Sequence, residues 1–151
     1  MALLNYTTGI EAIKTVGEIQ GNLAAHGAKS ILIDYGEDRT VEALAFRVLG
    51  PHGEIAIRLP IDPEAVLKVL TQQNRRGKVP RRYVNRAQAV RVAWRIVKDW
   101  VEAQMAILET EMVKMEQIFL PYVITQSGRT LYEAMVDQHF QLGSGEEAKG
   151  E

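Results

Sequence analysis

A chain of 151 residues with 46% hydrophobic and 25% charged side chains has the size and composition of one globular domain able to bury a core, which excludes a disordered or fibrous polymer. No apolar run approaches the roughly 18–20 residues of a membrane span, and the absence of cysteine excludes disulfides, thiolate metal sites and a cysteine nucleophile. The formal net charge of −1 excludes a protein that is basic or acidic as a whole.

The first predicted element is a helix from Thr8 to about His26. Thr8 and Glu11 have the spacing of a capping box, and Ile10, Ile13, Val16, Ile19, Gln20 and Leu23 follow at helical intervals. Gly27 supplies a left-handed stop. Three strand-like segments come next. "SILIDYG" ends in the turn "GEDR"; "VEALAFRVL" alternates, with Leu44, Phe46 and Val48 on one side; "GPHG" reads as a hairpin turn; "EIAIRLP" alternates again. Together they predict a three-stranded antiparallel meander with one face covered by helices.

A second helix opens with Asp62 as N-cap and Pro63 in the first helical position, and runs to about Gln73. Gly77 and Pro80 turn the following stretch into a loop. Asn85 and Gln88 are spaced as a second capping box, and no Gly or Pro follows until Pro121. The heptad-like series Trp94, Val97, Val101, Met105, Leu108, Met112, Met115 and Phe119 predicts one helix over 85–120, about 35 residues and roughly 50 Å long. A rod of that length projects from a small domain, so its apolar stripe is expected to form an oligomer seam. Thr130 and Glu133 cap a short last helix that ends near Leu142. The fold class expected is therefore α+β: helix, meander, helix, long helix and short helix in a single domain over 1–142. An acidic tail, "GSGEEAKGE" over 143–151, is expected to be disordered.

Charge is distributed in three blocks. Residues 1–64 carry five basic and nine acidic side chains, residues 99–151 three basic and ten acidic, and residues 65–98 ten basic and none acidic. The ten are Lys68, Arg75, Arg76, Lys78, Arg81, Arg82, Arg86, Arg91, Arg95 and Lys98. Arginine and lysine at the N-terminal end of a helix oppose its dipole by a few tenths of a kcal/mol each, and a bound anion there reverses the sign. Arginine also outnumbers lysine seven to three, and its planar fork is the better bidentate phosphate ligand. The segment is thus read as a phosphate-binding surface made by Arg75, Arg76, Lys78, Arg81, Arg82, Arg86, Arg91 and Arg95, with Tyr83 available to stack on a base. Nucleic acid, DNA or RNA, is the expected partner, because ten charges exceed what one small phosphate needs. The blander reading pairs Arg95 with Asp99 and Lys98 with Glu102 along the helix and docks the remaining cations on acidic surfaces, within the chain or between copies, which makes the protein a self-assembling interaction module.

The residues offer little for catalysis. His26, His52 and His139 are dispersed and read as turn or surface side chains. Asp34, Glu37 and Asp38 cluster at a strand end, as in a metal-dependent nuclease, but a turn explains them equally well. No zinc-finger spacing, RRM core motif or glycine-rich nucleotide loop is present, so sequence-specific readout is not expected. The expectation is a non-enzyme without cofactor or metal.

The phrases "HGAKSILIDY", "GEIAIRLP" and "VPRRYVNRAQAVRVAWRIVKDWVEAQMA" resemble a family of small uncharacterised proteins carried by bacterial phages and prophages, over most of residues 5–125. The helix–three strands–helix order is also similar to the core of phage single-strand annealing proteins. The resemblance implies a mobile-element setting, in which small accessory proteins handle DNA, and no site residues come with it. A cytoplasmic location in a bacterial host follows as an expectation. The first residues, with neither a basic n-region nor a long apolar stretch, carry no visible secretory signal.

Overall fold

Alternating apolar residues form strands where the pattern calls for them. In the computed structural model, which describes residues 1–141, β1 (Ser30–Tyr35), β2 (Val41–Gly50) and β3 (Gly53–Arg58) make an antiparallel sheet in the order β1-β2-β3. The hairpin between β2 and β3 pairs Gly50 with Gly53, and Gly53 takes φ +129°, a conformation that favours glycine. Leu44, Phe46 and Val48 face the core as expected. Val41 joins them because the β1–β2 register slips after Asp34, setting Tyr35 opposite Val41 rather than Glu42.

Two helices, α1 (Ala12–Ala25) and α3 (Arg86–Glu109), cover that face, whereas α2 (Pro63–Arg75) packs beside α3 on a second, smaller core. In α1 (Ala12–Ala25) the buried side chains are Thr15, Val16, Ile19 and Leu23. The capping box expected at Thr8 does not form. Thr8 Oγ1 accepts from the Ile10 amide at 3.2 Å, which makes a turn, and the helix begins four residues later with no side-chain cap. Its far end is as expected, with Gly27 at φ +103°. The second helix, α2 (Pro63–Arg75), is capped by Asp62, which accepts from the Ala65 amide at 3.2 Å.

The third helix, α3 (Arg86–Glu109), starts at the expected N-cap Asn85 but spans 24 residues, short of the rod over 85–120. Thr110 ends it. Its hydroxyl donates back to the Ile107 carbonyl at 2.5 Å, and Glu111 takes a left-handed φ of 61°; such back-bonding competes with the helical ladder. The chain then folds back through α4 (Met115–Ile118) and a 3₁₀ turn (Leu120–Tyr122). Folding back buries Phe119 between Phe46 and Trp100, with ring centroids 5.3 and 5.5 Å apart, whereas a straight rod would leave it in water. Val123 and Ile124 then cover the free edge of β3. The last helix, α5 (Leu131–Asp137), has the Thr130–Glu133 capping box and stops short of Leu142, where His139 and Phe140 take left-handed φ values. The tail over 143–151 lies outside the described residues.

This return path corrects the oligomer seam. Trp94, Val97, Val101, Met105 and Phe119 are buried within the chain's own core, together with the sheet and α1, and Leu108 and Met115 pack against that core. Only Met112 among the eight is largely exposed, at 71%. Heptad spacing here reflects a helix lying on a sheet, because both arrangements demand an apolar stripe every three or four residues.

Candidate nucleic-acid interface

The basic connection between α2 and α3 is an anchored loop. After Arg76, Gly77 takes φ +72°, and the amides of Lys78 and Val79 both donate to the Gln73 carbonyl. Asn74 Nδ2 donates to the Val79 carbonyl at 2.9 Å. Val79 is buried in a second, smaller core with Leu70 and Ala89. A 3₁₀ turn (Arg81–Tyr83) leads into the N-cap Asn85.

The first residues of the chain complete this corner, which the sequence pattern did not announce. Gln88 does not reach back to the N-cap as a capping box requires. Its buried carboxamide donates to the carbonyls of Tyr6 (2.8 Å) and Thr8 (2.9 Å) and accepts from Arg91 Nε and Nη2 (3.0 and 2.8 Å). The Leu3 amide donates to Gln73 Oε1 at 2.9 Å, and Ala2, Leu3 and Tyr6 pack on the small core. A glutamine on an otherwise apolar helix face was the available signal, since a buried amide has four hydrogen-bonding positions to satisfy.

The predicted site residues fall into two groups. Arg86, Arg91 and Arg95 are committed inside the chain: Arg86 to Glu64 of α2, Arg91 to Gln88, and Arg95 to Glu18 and Thr15 of α1. Lys98 pairs with Glu102, as the helical spacing anticipated, and Asp99 stands 3.7 Å away. Arg86 and Arg95 are therefore met by acids delivered from elsewhere in the fold and Arg91 by the Gln88 amide, so all three already have partners within the chain, although Arg86 remains exposed. Tyr83 is half-buried, edge-on to Tyr6 at 5.4 Å and beneath the Arg82 guanidinium at 4.8 Å, so it is a packing residue and not a free stacking platform.

The second group is Lys68, Arg75, Arg76, Lys78, Arg81 and Arg82. All six are exposed, and none pairs with a carboxylate among the described residues. Five of them lie on eight consecutive residues of the anchored loop and its approach. The ordered backbone carries them as a cluster of like charge, which repels itself and attracts polyanions.

The other candidates have local roles. Asp38 accepts from the hydroxyl and amide of Thr40 (2.5 and 3.2 Å), which holds its carboxyl below the usual range and makes it a turn-former. No group of three His, Asp or Glu among the described residues could hold a metal ion, and no helix among them is long and apolar enough to cross a membrane.

His26 is more than a surface histidine. Its Nδ1 lies 2.7 Å from the Asn22 carbonyl and its Nε2 2.8 Å from Glu109 of α3. Only the protonated ring can donate on both sides, so these contacts, the Asn22 carbonyl foremost, raise its pKa above 6.5. Its contribution to stability is then fully present below about 6.5, the unfolded value, and is lost as pH rises through the higher folded value. Denaturant midpoints at pH 6 and 8.5 should fall more in the wild type than in His26→Gln. Equal pH dependence in both would rule the tie out.

Comparison of the chain with protein-family models, curated proteins and solved structures finds no match.

Proposed function

We propose that this chain is a non-catalytic nucleic-acid-binding protein of the accessory type carried by phages, gripping phosphates with the exposed cations of the α2–α3 connection. One observation carries the reading. Of ten basic residues in the segment, six are both exposed and without an acidic partner among the described residues, and five of these six lie on or beside a loop already fixed by its own hydrogen bonds. An ordered loop loses little conformational freedom when it binds. Arginine forks suit phosphate oxygens bidentately, and with Tyr83 engaged by Tyr6 the surface supports backbone recognition rather than base stacking. The likeness of the sequence's phrasing to phage-borne proteins supports the setting.

The test is a fluorescence-anisotropy titration with short single- and double-stranded oligonucleotides over a salt series. Binding should weaken steeply with salt through counterion release, at roughly 0.7–0.9 logarithmic units per phosphate contact. Replacing Arg75, Arg76, Arg81 and Arg82 together by alanine should lower the slope by about 3 and reduce affinity at least tenfold. Arg86→Gln and Arg95→Gln should leave the slope within experimental error. Absence of binding at low salt, or a slope unchanged in the quadruple variant, would reject the proposal in favour of cations that dock on acidic protein surfaces.

A further inference from the structure

β1 is an open sheet edge. The free side of β3 is covered by Val123 and Ile124, but no strand lies beyond β1 among the described residues. Soluble proteins commonly protect such edges with lysine, proline or a bulge. The run Ser30-Ile31-Leu32-Ile33-Asp34 contains no lysine or proline, and the register slip comes only at its end. Leu32, at its centre, is 63% exposed.

We infer that β1 pairs antiparallel with β1 of a second copy of the chain, about a two-fold axis at Leu32, giving a continuous six-stranded sheet. Residues opposite one another in an antiparallel pair share a face. The two-fold register centred on Leu32 therefore sets Leu32 against Leu32, Ile31 against Ile33 and Ser30 against Asp34. Ile31 and Ile33 already pack against the main core, so their pairing carries that core across the junction. The polar pair brings Asp34 beside the serine that Arg47 bonds. Arg47 stands opposite Ser30 on β2, donates to its hydroxyl at 2.8 Å and holds Glu54 at 3.4 Å through an exposed ion pair, while Asp34 is exposed and pairs with no cation among the described residues. In the dimer each Asp34 meets the Arg47–Ser30 pair of the other copy, twice by symmetry. Moving the register two residues one way sets Leu32 against Asp34, and the other way against Ser30, so of these three registers the centred one alone matches apolar with apolar and brings Asp34 to the Arg47–Ser30 pair. The notion of a homo-oligomer thus shifts from the long helix to a sheet edge, and it stands independently of what the basic loop binds.

The absence of cysteine makes the test direct. Opposed residues in an antiparallel pair have Cα atoms about 4.5–5.5 Å apart, within the roughly 4.4–6.8 Å that a disulfide spans. Sedimentation equilibrium of the wild type should give twice the chain mass of 16.9 kDa at high micromolar concentration, and Leu32→Lys should return it to the single-chain mass. Under mild oxidation Leu32→Cys should cross-link to a covalent dimer, while Leu49→Cys, on a side chain that is 69% exposed but away from the edge, should not. A wild type of single-chain mass throughout, an unchanged association in Leu32→Lys, or equal cross-linking of the two cysteine variants would overturn the inference.

Discussion

Replacing Trp94 by alanine should lower stability by about 3–5 kcal/mol, the range for deleting a large buried aromatic side chain. Trp94 is fully buried and its indole N–H donates to the Val41 carbonyl at 3.2 Å, so the variant leaves both a cavity and a buried acceptor that has lost its donor. For a chain of this size each kcal/mol moves the thermal midpoint by about 2–4 °C, so a fall of roughly 6–20 °C is expected in a calorimetric scan. The loss should be the same at low and high protein concentration. An oligomer seam would instead make the effect concentration-dependent, so a deficit that disappears on concentrating the protein would overturn the placement of Trp94 in a single-chain core.

The second large effect is expected at Gln88. Its carboxamide joins the carbonyls of Tyr6 and Thr8 to the Arg91 guanidinium, and truncation to alanine should cost about 2–3 kcal/mol by leaving buried polar groups unmatched. Gln88→Glu is the sharper probe. It keeps the acceptors for Arg91 but loses both donors and sets a carboxylate against two carbonyl oxygens, so residues 1–10 should lose their hold while α3 keeps its start. Hydrogen exchange should then quicken over 1–10 and 73–85 and remain slow in the sheet. Uniform protection in the glutamate variant would show that the amide is not what holds this corner.

Most of the fold was legible because its signals are local. Period-two alternation gave the three strands, Asp62-Pro63 the start of α2, and Asn85 the start of α3. What was not legible depended on contacts distant in sequence. Thr110 ends α3 with neither Gly nor Pro, because burying Phe119 against Phe46 favours a reversal that helix propensity alone does not predict. Thr8 and Glu11 have capping-box spacing, yet the hydroxyl serves the Ile10 amide instead. The position of the basic loop was readable as a charge block. Which cations are free was not, since Glu18 and Glu64 reach Arg95 and Arg86 only once α1 and α2 are docked.

The N-terminal arm also bears on the order in which the molecule is assembled. Its ties to Gln73, Gln88 and Asp99 close loops of 70, 80, 82 and 94 residues, among the longest-range contacts in the chain. On the ribosome the arm emerges before α3 and waits until α3 has been made. The sheet hairpins, closed by turns of a few residues, form without that delay, because loop-closure entropy must be overcome before distant contacts repay it. The corner that displays the exposed cations is therefore among the last parts to set, so a nascent chain completes its sheet before it can present an ordered polycationic surface.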